Sequence, residues 1–83
     1  MINVLFFAQV RELLGCSKLS VEPSAEIHNA DTLREHLARK NDKWAKVMAS
    51  DKLLVAINQE LCPWDMVISD GDEIAFFPPV TGG

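Results

Sequence analysis

Residues 2–8 alternate Ile2, Val4 and Phe6 with Asn3, Leu5 and Phe7, and their β-branched and aromatic types predict a strand with apolar character on both faces. Residues 9–14 suffice for about one or two helical turns, and Gly15 supplies a left-handed stop before a second strand over 18–22. Pro23 and Ser24 end that strand. The main helix opens at Asn29, whose side chain accepts from the free amides of a first turn, with Asp31 set favourably against the positive helix end. Leu33, Leu37, Trp44, Val47 and Met48 then recur at helical spacing, forming one apolar stripe, while Arg34, Glu35, Arg39 and Lys40 stay wet. Asn41 and Asp42 are where this helix divides in two. Residues 53–58 predict a buried strand and 60–62 a brief extension past a tight turn, with Pro63 marking an edge. Asp70-Gly71-Asp72 is a turn signal just ahead of a last strand over 73–78, where Ile74 and Phe76 alternate with Ala75 and Phe77.

The order β, β, α, β, short β, β predicts an α+β fold: a mixed sheet of about four or five strands packed on one main helix, with short helices beside it. The β-grasp arrangement, as in ubiquitin, fits this order best. Residues 1–78 would form the domain and residues 79–83 a flexible, extended tail, Pro79-Val80-Thr81-Gly82-Gly83, with no partner strand. Fully extended, the tail spans roughly 16 to 18 Å, enough to enter a deep cleft on another protein.

With 83 residues the chain makes one small domain, whose expected stability of roughly 4 to 12 kcal/mol leaves little room for a strained, buried active site. A net charge of −4 disfavours nucleic acid and anionic membrane surfaces as partners. From Glu60 onward there are five acids and no basic residue, whereas Arg34, Arg39, Lys40, Lys43, Lys46 and Lys52 cluster mid-chain. The acidic end is either a solvated rim or a surface that docks into a cationic pocket on a partner. The apolar runs are far shorter than the eighteen or so residues of a membrane span, Met1 leads straight into a strand-like pattern so that no secretory signal is expected, and two cysteines are too few for a disulfide framework. These features together predict a reducing cytoplasm.

Ordinary catalytic apparatus is missing: there is no P-loop, no nucleophile elbow, no HExxH zinc motif and no tyrosine. His28 and His36 have no metal or triad spacing, so no metal site is expected. Cys16 and Cys62 lack the cationic surroundings that activate a thiol and are read as bystanders, and Asp70 and Asp72 as turn residues. What remains is the chain end. Neither Gly82 nor Gly83 carries a side chain, so an enzyme can close around the backbone and approach the terminal carbon from several directions. A carboxylate is a poor electrophile, and acyl chemistry there needs activation, typically as a mixed anhydride with AMP supplied by a partner.

Three segments carry a resemblance: Val4-Leu5-Phe6-Phe7-Ala8-Gln9-Val10-Arg11-Glu12-Leu13, Leu53-Leu54-Val55-Ala56-Ile57-Asn58-Gln59, and Asp70 through Phe77-Pro78-Pro79-Val80-Thr81-Gly82-Gly83. On these the chain resembles the ubiquitin-like sulfur-carrier family, and within it the small subunits of molybdopterin synthase. The closing seven residues are the most specific; Gly82-Gly83 alone also fits thiamine-type sulfur carriers and ubiquitin-like protein modifiers, the alternative readings. The resemblance implies a cycle in which a ubiquitin-activating-type adenylyltransferase spends magnesium ATP on Gly83 and an indirect persulfide donor converts the adenylate to a thiocarboxylate. That sulfur then attacks the cyclic pyranopterin monophosphate precursor in the large subunit of molybdopterin synthase, in a 2+2 heterotetramer. On this reading the chain binds no cofactor of its own and is no enzyme by itself.

If Val4, Phe6, Ile74 and Phe76 face the helix, then Phe7 and Phe77 leave the sheet on the other side, where Leu61 joins them in an exposed apolar patch. The family's sheet-face contacts match these positions, with Arg11 as a polar rim contact. Pro79, Val80, Thr81 and Gly82 would thread into the partner.

Overall fold

The computed structural model describes residues 1–79. Strand β1 (Ile2–Phe6) leads into helix α1 (Ala8–Leu14), then β2 (Lys18–Val21), α2 (Ala30–Ala38), α3 (Asp42–Met48), β3 (Leu54–Ile57), β4 (Glu60–Leu61) and β5 (Glu73–Phe77). The five strands form one sheet in the order β2-β1-β5-β3-β4. β1 and β5 pair in parallel with Phe6 beside Phe76, and the other neighbours run antiparallel. This is the mixed-sheet β-grasp expected from the chain's pattern.

Several boundaries differ by a residue or two, each for a local reason. β1 ends at Phe6, short of Ala8, because Phe7 becomes the extended N-cap of α1 and Ala8 turns to φ 52°. Asn58 leaves β3 because it and Gln59 take φ 50° and 71°, a two-residue turn whose twist suits a hairpin. β2 stops at Val21, β4 at Leu61 and β5 at Phe77, each just ahead of its predicted end. Gly15 adopts φ 66° and its N–H donates to the Arg11 carbonyl at 2.9 Å, closing α1.

Asn29 caps α2 in a reciprocal arrangement: its side chain accepts from the Thr32 amide at 2.8 Å, and the Thr32 hydroxyl accepts from the Asn29 amide at 3.0 Å. Asn41 caps α3 by accepting from the Trp44 amide at 3.1 Å, so the predicted division becomes a fresh helix start.

The period-2 pattern of β1 and β5 places Ile2, Val4, Phe6, Ile74 and Phe76 on the helix side, all buried, against Leu33 and Leu37 of α2 and Met48 of α3. Val47, the fourth member of the predicted stripe, is only half-buried. Four rings run through this layer: Trp44 meets Phe6 edge-on at 5.3 Å, Phe6 stacks on Phe76 at 5.9 Å, and Phe76 stacks on Trp64 at 6.0 Å. Arg34 lies over Trp64 at 4.2 Å and closes the column at its outer end.

Candidate functional site

β5 sits in the middle of the sheet, held by β1 on one side and β3 on the other, so the chain that leaves it after Phe77 departs from the most firmly held strand. The Phe7 amide donates to the Phe76 carbonyl at 3.2 Å, while the Phe7 carbonyl accepts from the Arg11 amide at 3.3 Å. One residue thus ties the exit of β5 to the first turn of α1. Pro78 is half-buried and Pro79 exposed. Neither proline has an N–H to donate, so the ladder cannot extend through them.

The face of the sheet away from the helices carries the other half of the alternation. Cross-strand register sets Leu5 beside Ala75, Ala75 beside Ala56 and Ala56 beside Leu61, with Phe77 beside Leu54 in the next row. Phe7 keeps an extended backbone (φ −124°, ψ 154°), which continues the alternation of β1 onto Leu5's face. Leu61 is 68% and Phe7 46% exposed, while Leu5, Leu54, Ala75 and Phe77 are half-buried. An apolar surface therefore covers this face of the sheet up to the end of β5. Phe7, Phe77 and Leu61 occupy one face, and the structure adds Leu5 and Leu54 to them. Leu54 was absent from the expected patch, although the register parity of β3 with Phe77 identifies it.

Arg11 is exposed one turn into α1, with no carboxylate within ion-pair distance among the described residues. Val80, Thr81, Gly82 and Gly83, which carry the predicted chemistry, lie outside the described residues.

The remaining reactive side chains have structural surroundings. The Cys62 thiol donates to the Val55 carbonyl at 3.8 Å, and burial pushes its pKa above the ordinary value, a backbone hydrogen bond at Ile57 pulling less strongly the other way. Such a thiol is a poor nucleophile at neutral pH. The Cys16 thiol donates to the Lys18 carbonyl at 3.4 Å. Asp72 accepts from the Ser69 amide at 2.8 Å and from the Asn58 side-chain amide at 3.1 Å, and Asp70 pairs with the amino terminus. These contacts give Asp70 and Asp72 turn-holding roles. Among the described residues no group of three or more His, Cys, Asp or Glu side chains converges to hold a metal, and no helix is long and apolar enough to cross a membrane.

The ThiS family profile matches residues 4–83, nearly the whole chain. The chain belongs to the ThiS family. Two ThiS-family relatives match it end to end: a molybdopterin synthase sulfur carrier subunit from Haemophilus influenzae, 57% identical over 83 residues with all of both chains covered, and another from Escherichia coli, 52% identical over the same full span. In the solved complex of subunits 1 and 2 of the molybdopterin-converting factor from Helicobacter pylori, a chain shares this ThiS-family fold with a TM-score of 0.67 at 23% identity, covering 99% of this chain and 97% of that one. The small archaeal modifier protein 1 from Methanosarcina acetivorans has a TM-score of 0.75 at 21% identity, covering 99% and 95%. At those identities the two structures show the fold alone.

Proposed function

We propose that this chain is the sulfur-carrier subunit of a molybdopterin synthase, loaded and unloaded at Gly83. The observation that carries the reading is full-length identity of 57% and 52% to two proteins of that name, with no part of either chain unmatched. A β-grasp body whose central strand ends beside an apolar face supports it: such a body can be gripped while a slender chain end enters a partner's cleft.

In this reading an adenylyltransferase of the ubiquitin-activating type binds magnesium ATP, and a Gly83 carboxylate oxygen attacks the α-phosphorus, releasing pyrophosphate. The outer sulfur of a donor persulfide attacks the acyl carbon and AMP leaves; a second thiol then attacks the donor's sulfur in the resulting acyl disulfide, forming a disulfide with it and releasing the thiocarboxylate. The tail of Pro79, Val80, Thr81 and Gly82 then carries this soft, anionic sulfur into the large subunit of the synthase, where it attacks a carbon of the cyclic pyranopterin monophosphate. Hydrolysis of the acyl–sulfur bond leaves the sulfur on the pterin and returns the Gly83 carboxylate. Two deliveries build the dithiolene, in an assembly of two small and two large subunits in the cytoplasm, with catalysis residing in the large subunit. Phe7, Leu61 and Phe77 grip the partner, with Arg11 at the rim. All the chain itself must do is present the end, keep the sheet face open and release intact after each turnover.

Intact-mass analysis after incubation with ATP, a sulfur source and the activating enzyme tests the reading. One oxygen-for-sulfur replacement localised to Gly83 is expected. Conjugates on lysines of other proteins would instead make the chain a modifier, and sulfur on Cys16 or Cys62 would make it a persulfide carrier.

A further inference from the structure

A second surface adjoins the tail root. Between α1 and α3 opens a cleft of about 580 Å³, with Leu13, Val47 and Pro78 in its apolar wall and Lys43, Lys46 and Lys52 around it. Leu13 is 53% exposed although it lies on a helix that buries its neighbour Leu14. The three lysines are exposed, and none has a carboxylate within ion-pair distance among the described residues. In a chain of net charge −4, three of eight basic side chains gathered at one oily cleft run against the sign of the molecule. Pro79 and Gln9 also line it, so the cleft begins where the tail departs and where Phe7 starts α1. A protein that grips the sheet face and takes up the tail passes beside this opening.

We propose that the cleft receives a carboxylate-bearing aliphatic segment of the large subunit of molybdopterin synthase, as a second contact alongside the sheet face. This inference rests on the function proposed above. The segment's apolar side chains cover Leu13 and Val47, and its carboxylates meet the lysines, whose stems line the wall while their ammonium groups stay at the rim. Exposed lysines of this kind steer the encounter and add affinity that is largest at low salt and screened at high salt. A phosphate backbone is a poor occupant, because it has no aliphatic side chains to cover Leu13, Val47 and Pro78. The contact gives this chain a partner preference independent of the tail, which other carriers ending in Gly-Gly also possess.

Titration calorimetry of the full chain with purified large subunit, at low and at high salt, tests the proposal. K43E/K46E is expected to weaken binding at least about tenfold at low salt and to flatten the salt dependence, since reversed charge repels the partner's carboxylates. R39E/K40E makes the same change in net charge away from the cleft and is expected to cost less than about twofold; thermal melts check that both variants fold. Unchanged binding by K43E/K46E, or equal losses in both variants, overturns the proposal. A benzophenone side chain in place of Leu13 is expected to cross-link to an acidic, aliphatic stretch of the large subunit; capture of this chain's own tail or of a second copy would overturn it. Phe77→Ala separates the two levels of inference. If it weakens binding while K43E/K46E does not, sheet-face docking stands and the cleft contact falls; if the native chain does not bind the large subunit at all, both fall.

Discussion

At Ala8 the backbone departs from what the side chain favours. It opens α1 at φ 52°, a left-handed conformation that costs an L-residue roughly 1–2 kcal/mol. The chain accepts this because Phe7 serves two ladders at once, donating to Phe76 and accepting from Arg11, which leaves the turn into α1 to its neighbour. Ala8→Gly relieves the conformation at an entropic cost of about 0.5–1 kcal/mol, so the expected result in thermal unfolding is an unchanged or raised Tm, opposite to the usual effect of glycine in a helix. A drop of several degrees would show that the turn carries no strain. The Cys62 thiol gives a second prediction. Its folded pKa lies above the ordinary 9.0 of an unfolded thiol, so its contribution to stability is full below about pH 9 and is lost as the pH rises through the folded value. Urea melts across that range are expected to show stability falling more steeply for the native chain than for Cys62→Ala.

At the scale of elements, the caps decide where helices begin, and they were the features most legible in the chain. Asn29 and Gly15 act through their own side-chain and backbone chemistry, which needs no knowledge of distant residues. Thr32, the reciprocal half of the cap, lacks the Glu or Gln that usually marks a capping box and so gave no signal. Asn29→Ala removes the acceptor for the Thr32 amide and is expected to cost about 1 kcal/mol, a fall in Tm of about 4–8 °C for a domain of this size. No change would mean that the strap beside it, residues 63–68 between β4 and β5, suffices. In that strap the amides of Ala30 and Asp31 donate to the Met66 and Trp64 carbonyls at 3.0 and 2.8 Å, and Ile68 donates to His28 at 3.1 Å. These pairings join residues more than thirty positions apart, and local propensity holds no trace of them. The same holds for Trp64, whose place in the aromatic column depends on where the strap lies. The sheet face was legible because period-2 alternation survives without knowing the strand order: Phe7 and Phe77 followed from parity alone. The lysine-ringed cleft did not, since it is made only when α3 packs across from α1.

For the whole molecule, the column Trp44–Phe6–Phe76–Trp64 links α3, both central strands and the strap through one line of contact. Phe76→Ala is expected to remove about 3–5 kcal/mol, a large part of the roughly 4–12 kcal/mol available to a domain of this length. Circular dichroism should show the variant substantially unfolded at 37 °C, and a cooperative melt near the native Tm would contradict the central role given to this column. The parallel pairing of β1 with β5 has an implication for biosynthesis. The first strand made and the last must lie side by side, and β5 must fill the slot between β1 and β3 before the sheet is continuous. That closure joins the two extremes of the chain and comes late, after every intervening element has left the ribosome. Nascent or truncated copies that lack β5 therefore keep an open seam between β1 and β3, and the apolar sheet face around Phe77 is complete only in copies that have finished folding.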